Sequence, residues 1–319
     1  MQKPSTCARP PWPQLLGCAL AVTLTACGGQ TAAPGAPESK PGESAPAAAS
    51  TDRTFDTSGV QKVDEIAALV PAAVAERGTL LIGASADYAP AEFRADDLKT
   101  YIGYDVDLGR ALGKVLGLDA QVQDAEFASL IPAIGTTTDV GISSFTIRPD
   151  RLEAANMISY ITVGSSYAVK TGNPDGFDPE DVCGKSIAVQ TGTWQEEELT
   201  DVFDKACTDA GKEKIEILSY ARQSDATTNV VGGKAAAFYA DSTVAGYASA
   251  LTSGQLEVVG GIRDAAPQGI VVAKNDAALT EAMQKAMQHL MDDGTWKAIL
   301  DSWGVEDAAL TTAELNPSA

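Results

Sequence analysis

An α/β fold built on a mostly parallel sheet is what this sequence predicts, and two observations carry the prediction. From about Val63 onward, short apolar runs alternate with segments of helical period, the pattern of repeated strand–helix units. Every loop rich in polar candidates follows one of those runs: Ser85 to Glu92, Ser143 to Arg151, Gln190 to Gln195, and Asp241. In open α/β sheets ligands sit beyond the C-terminal strand ends. One shared site therefore accounts for all of these loops.

The elements follow in chain order. Leu80 to Gly83 is a short apolar strand. Leu108, Ala111, Leu112, Val115 and Leu116 recur at i, i+3, i+4, i+7 and i+8, one face of a helix that Gly117 ends. Val140 to Ile142 is a strand that delivers Ser143 and Ser144. Lys185 to Val189 is another, and Thr193 and Glu196 behind it have capping-box spacing. Ala235 to Tyr239 is a strand ending at Asp241, an N-cap for a helix that reaches Ala250. The closing helices carry Leu279, Met283, Ala286 and Leu290, then Trp296, Ile299, Leu300 and Trp303, with Gly304 as the stop. Met283, Met287 and Met291 read as core filler.

The stretch SSFTIRPDR, Ser143 to Arg151, concentrates hydroxyls and arginines in an otherwise acidic chain. Pro149 suits the first position of a helix. Hydroxyls, guanidinium groups and the N–H groups of a helix start all attract anions.

The chain has 319 residues, enough for two compact domains. Lys3 and Arg9 precede the apolar run Leu15 to Ala26, which has the length of a signal h-region and is too short for a permanent span. LTAC, Leu24 to Cys27, resembles the lipobox of bacterial lipoproteins, in which the cysteine is acylated. Residues 1–26 are thus expected to be a signal peptide, Cys27 to carry lipid, and the Pro-, Ala-, Gly- and Ser-rich residues 27–62 to form a disordered tether. Removing two positive charges with the signal takes the formal charge from −20 to −22. Such a surface opposes nucleic-acid binding and electrostatic attachment to anionic lipid. Cys183 and Cys207 are expected to form a disulfide in an oxidising compartment, and their spacing fits no zinc pattern.

Seven stretches, GTLLIGASADYAPAEF, YIGYDVDLGRALG, EFASLIPAI, ISSFTIRPDR, GKSIAVQTGT, ADSTVAGY and DGTWKAILDSWG, resemble in that order the polar-amino-acid substrate-binding proteins of ABC importers. The resemblance runs from about Val63 to Val305. It implies a two-lobed, periplasmic-binding-protein-like (type II) fold, with two crossing hinge strands near Ser165–Lys170 and Gly269–Lys274. Lobe 1 would comprise residues 63–167 and 272–310, lobe 2 residues 168–271, and the C-terminal tail residues 311–319.

The same resemblance assigns roles. Arg151 would clamp the ligand's α-carboxylate, assisted by Ser144, Thr146 and, from lobe 2, Thr193. Asp241 would receive the α-ammonium, and Tyr88 and Phe127 would hold the ligand between them. Gln190 stands where a side-chain reader is often found. The chemistry agrees, because a zwitterion needs a fork-shaped cation and a carboxylate within a few ångströms of each other. The implied protein binds rather than catalyses, needs no cofactor, and works outside the cytoplasm as a lipid-anchored monomer. Its implied partners are an amino acid and an ABC permease with its ATPase.

This chain also departs from the family. Arg148 replaces the usual threonine and reads as an exposed charge or a lobe-closure contact. Ser85 replaces an aspartate common in members that bind basic or amide side chains, and Ala91 replaces a bulkier residue. Asp87 and Glu92 flank Tyr88 and could recognise a cationic side chain, but they read first as exposed loop acids. The same fold hosts dehydratases and lyases, but His289, the only histidine, lies on a C-terminal helix away from the site loops. No G-x-S-x-G elbow occurs. A ligand-presenting sensor would use the same site residues as an importer component.

Overall fold

The computed structural model describes residues 53–318. The expected signal peptide, the lipidation site Cys27 and most of the tether lie outside the described residues. A single eight-stranded sheet organises the body. We number its strands β1 (Thr79–Ala84), β2 (Asp119–Asp124), β3 (Val140–Gly141), β4 (Ala155–Lys170), β5 (Ser186–Gln190), β6 (Glu216–Tyr220), β7 (Ala237–Asp241) and β8 (Leu256–Ala273). Their spatial order is β2-β1-β3-β8-β4-β7-β5-β6. β2, β1 and β3 are mutually parallel in lobe 1, as are β7, β5 and β6 in lobe 2. The long strands β4 and β8 pair antiparallel and pass through both halves. The two-lobed fold is as expected, with its parallel strands split into two sets by an antiparallel pair.

Helices cover the sheet where the sequence period placed them. We label α1 (Tyr104–Leu116), α2 (Phe127–Ala133), α3 (Pro149–Ala154), α4 (Trp194–Glu197), α5 (Gln223–Val231), α6 (Ser242–Leu251), α7 (Ala277–Asp292) and α8 (Thr295–Trp303). Leu108, Ala111, Leu112 and Val115 of α1 are completely buried, and Gly117 stops the helix in the left-handed conformation at φ 71°. Gly103 before α1 is required by space as well as by φ, since a Cβ there would lie 2.1 Å from the Ala91 carbonyl oxygen. Met283 and Met287 are core residues of α7, and Met291 packs partly buried against the same cluster.

The ends of the body differ from expectation. The tether was expected to run to residue 62, yet Thr54 and the Phe55 N–H both donate to the Asp107 carboxylate of α1, at 2.8 and 2.9 Å. Asp56 caps a turn at Thr57–Gly59, and Phe55 packs against the core. These contacts are tertiary, so composition alone did not reveal them. At the other end, Leu315 and Ala309 bridge Ile158 and Ile161 of β4. The tail thus flanks β4 in lobe 1 on the side that β7 flanks in lobe 2.

The crossings also fall earlier than expected. Val271 and Val272 already pair with β3 of lobe 1. The register of β8 against β4 slips between Val259 and Arg263 and again between Arg263 and Ala266, marking the passage between lobes. Opposite lies Gly164 of β4, where a Cβ would approach the Arg263 carbonyl oxygen to 2.4 Å. The expected disulfide is formed, with Cys183 and Cys207 Cα atoms 5.5 Å apart in lobe 2. Cys207 and Val182 belong to the apolar cluster on that lobe.

Candidate functional site

The C-terminal ends of β1, β3, β5 and β7 converge on one cleft between the lobes. All eight sequence-derived ligand residues line it: Tyr88, Phe127, Ser144, Thr146, Arg151, Gln190, Thr193 and Asp241, joined by Trp194 and Gln195. The lobes are closed on it, leaving a cavity volume of about 10 Å³. Lobe 1 contributes Tyr88, Phe127, Ser144, Thr146 and Arg151, and lobe 2 contributes the rest.

Arg151 sits in α3, which Pro149 starts and Arg148 precedes in extended conformation. Its side chain is buried and donates from Nη1 to the Thr146 carbonyl (2.9 Å) and from Nη2 to the Gly192 carbonyl (3.1 Å). The guanidinium carbon lies 5.5 Å from the centre of the Phe127 ring. Burial, together with the nearby Arg148 charge, pulls the Arg151 pKa down to about 10, still cationic at neutral pH.

Thr193 caps α4 as its spacing predicted, its hydroxyl accepting from the Glu196 N–H at 3.2 Å. Glu196 reaches back to the Gly192 N–H (2.7 Å), so the N-terminal donors of this turn are ordered beside Arg151. Asp241 precedes α6 but its carboxylate makes no cap bond. It turns into the cleft instead, where Oδ1 accepts from Gln195 (2.8 Å) and Oδ2 from Gln268 (2.6 Å). Its backbone N–H donates to the Tyr88 hydroxyl at 3.1 Å. Burial raises the Asp241 pKa to about 6, with the Gln268 and Gln195 donors and the Arg151 charge holding it down.

Two acids read as exposed are buried or paired. Asp87 accepts from the Ser224 N–H (3.0 Å) and hydroxyl (2.8 Å) at the start of α5. Arg222 stands 3.7 Å from Asp87 and 2.7 Å from Asp124. Glu92 is almost completely buried, accepting from the Ser143 hydroxyl at 2.5 Å. Beside it, buried Asp105 accepts from the Ser144 N–H (2.9 Å) and the Tyr160 hydroxyl (3.0 Å). That bond holds Ser144 at φ 50°, a backbone region unfavourable for a residue with a side chain. Sequence reasoning missed these roles because the loop around Glu92 folds inward against α1, which local polarity does not encode.

Arg148 is the lobe-closure contact. It pairs with Glu197 of lobe 2, stacks 4.8 Å from the Trp194 ring centre and reaches Asp150 at 3.2 Å. Across the cleft, Arg222, Ser224 and Asp87 form a second bridge, and Gln190 donates to the Ser85 hydroxyl at 3.1 Å. Trp194, Gln195 and Gln268 were not singled out from sequence. The first two are neighbours of Thr193 at the α4 start, a signal that could have included them.

The buried acid pair has a measurable consequence. Burial, reinforced by the neighbouring Asp105 charge, raises the Glu92 pKa well above the ordinary carboxylate range, and burial raises that of Asp105 to about 7. An acid whose folded pKa is raised adds stability that is full below its unfolded value and lost as pH rises through its folded value. Thermal denaturation of the body should therefore show the melting temperature falling between about pH 5.5 and pH 8. The Glu92→Gln variant should show a shallower fall. A wild-type melting temperature that rises across that window contradicts the arrangement.

Two α/β lobes joined by two crossing strands, with a cation and a carboxylate facing each other across the cleft, define a hinged binding protein for small ligands. Residues 80–306 match the bacterial extracellular solute-binding proteins, family 3, and the chain belongs to that family. The chain is 37% identical over 255 residues to the arginine-binding protein ArgT of Corynebacterium glutamicum, covering 80% of this chain and 83% of that protein. Among solved structures it is similar to holo ArgBP from T. maritima, with TM-score 0.63 and 28% identity over 74% of this chain and 100% of the other. It is similar also to the ancestral amino acid-binding protein AncCDT-1, a precursor of cyclohexadienyl dehydratase. There the TM-score is 0.64 and the identity 30%, over 72% of this chain and 97% of the other.

Proposed function

We propose that the protein captures a free α-amino acid outside the cytoplasm and hands it to the permease of an ABC importer. The observation that carries this reading is the placement of Arg151 and Asp241 on opposite lobes of one cleft walled by Tyr88 and Phe127. Arg151 takes the α-carboxylate, with Ser144, Thr146 and the N–H groups around Thr193 completing its hydrogen bonds. Asp241 takes the α-ammonium. Tyr88 and Phe127 cover the apolar part of the ligand and exclude water. The family is one of binding proteins, and the proposed role is binding without chemistry.

Arginine is the first ligand to test, because a relative covering most of this chain is named for it. Ser85 in place of the expected aspartate argues for a panel, and Gln190, which donates to the Ser85 hydroxyl, is the residue we assign to the ligand's side chain. Calorimetric titration of the soluble body against the amino acids tests the reading. Saturable binding of at least one supports it, and no binding of any sinks it.

Lipidation of Cys27, with the residues after it as a tether, places the body at the outer face of the cell membrane. No helix among the described residues is long and apolar enough to cross a membrane. Cys27→Ser should move the protein from the membrane to the soluble fraction. A variant that stays with the membrane, or an intact mass without lipid, refutes the anchor.

A further inference from the structure

We propose that Gln268 is a positioning residue for ligand binding, holding the Asp241 carboxylate from the crossing strand and so tying ammonium recognition to the hinge. This rests on the reading that Asp241 receives the ligand's ammonium.

Gln268 lies on β8 just past the passage between lobes, and its backbone bridges Thr146 in the loop that carries the carboxylate site. The flanking bonds fix that join, Ile147 N–H to the Pro267 carbonyl (2.8 Å) and Gly269 N–H to the Phe145 carbonyl (2.9 Å). From there the side chain crosses to lobe 2 and donates to Asp241 Oδ2 at 2.6 Å. One residue thus touches the carboxylate loop through its backbone and the ammonium acceptor through its side chain.

A packing role explains this residue poorly. Gln268 is 1% exposed, and its Oε1 has no hydrogen-bond partner among the described residues. A buried carbonyl without a partner is destabilising, so an apolar side chain of the same length would serve the fold better. The amide orientation is set by Asp241, because turning it would put an oxygen against an oxygen. What the position gains from glutamine is the N–H donor. That donor keeps Asp241 ionised and aimed, as does Gln195 on the other oxygen.

The charged and titratable groups facing Asp241 are Arg151 from α3, Tyr88 from the loop after β1, and Tyr104, Asp105 and Glu92 from α1 and the loop before it. All of these are common to wild type and variant, so a difference between the two isolates the Gln268 donor. Wild-type affinity for a cationic ammonium should weaken as pH falls through about 6, where Asp241 takes a proton.

The test is calorimetry between pH 4.5 and 8.5, with L-arginine and L-glutamine as probes, on wild type, Gln268→Met, Gln268→Glu and Asp241→Asn. Gln268→Met keeps length and loses the donor. It should bind roughly ten- to a hundredfold more weakly at neutral pH, the usual worth of a hydrogen bond to a charged group. Its acid limb should also move to higher pH. Gln268→Glu should bind worst at high pH and recover relative to wild type as the introduced carboxyl takes a proton and can donate again. A merely structural role moves neither limb. If Asp241→Asn weakens binding while both Gln268 variants match wild type in affinity and limb, this inference is wrong and the ammonium reading stands. If Asp241→Asn binds as wild type, or wild type binds neither probe nor any other amino acid, the ammonium reading fails and this inference with it. Should Gln268→Met fail to fold by circular dichroism, the pH response of Gln268→Glu decides.

Discussion

Arg151→Ala should lower affinity for every amino acid the protein binds by about 2–5 kcal/mol, roughly 30-fold to several-thousand-fold. The guanidinium is buried, anchored to the carbonyls of Thr146 and Gly192, and backed by the Phe127 ring. The Thr146 and Phe127 contacts lie within lobe 1 and hold the fork however the lobes are set, so little ordering cost is left for binding. Removing it leaves the ligand's carboxylate desolvated without a counter-charge. Arg148→Ala is the informative contrast. Arg148 links the lobes through Glu197 and Trp194, and Glu197 is 44% exposed. Its loss should cost about 1 kcal/mol or less, shrinking further at high salt. Calorimetry on both variants checks the ranking. A larger loss for Arg148→Ala than for Arg151→Ala would show that the clamp is the other arginine.

The double variant Cys183→Ser, Cys207→Ser should lose about 3 kcal/mol of unfolding stability, the chain-entropy value for a loop of this size. The cysteines are separated by 24 positions, and Cys207 is packed in the apolar cluster of lobe 2. Neither lines the cleft. Ligand affinity should therefore change little while the urea midpoint falls. Urea titration with and without reductant measures the first, calorimetry the second. An unchanged midpoint would mean that the open chain is already constrained without the bond.

Much of the cleft was legible because strand ends in an α/β sheet are predictable places for polar loops. Gln190 and Asp241 directly follow apolar runs, and Ser144 and Arg151 lie in the loop and helix start that follow another. Thr193 announced itself by capping-box spacing, and its hydroxyl makes the bond that spacing implies. What was illegible depends on contacts distant in sequence. Glu92 and Asp105 look like surface acids until the first loop folds under α1. Asp241 looks like a helix cap, but two glutamine amides from elsewhere turn its carboxylate into the cleft. The boundaries of β8 were hidden because GGIRDAAPQG, Gly260 to Gly269, breaks strand alternation, with Gly260 at φ 75° and Asp264 at φ 46°, while strand pairing resumes beyond it.

The position of β8 in the sheet has a consequence for how the chain assembles. Most of lobe 2 is continuous in sequence between the two crossings, and its disulfide closes a local loop, so that lobe can form from one contiguous stretch of chain. Lobe 1 cannot. β3 has β8 as its neighbour, and Val140 waits for Val272 to arrive before that edge is paired. α8 then seals the same lobe, with the Trp296 indole donating to the Tyr160 carbonyl at 2.7 Å and that of Trp303 to Asp107 at 2.9 Å. Pairings so distant along the chain are slow to form. The half of the molecule synthesised first is therefore the half completed last, and its open sheet edge is shielded only when the C-terminal residues dock.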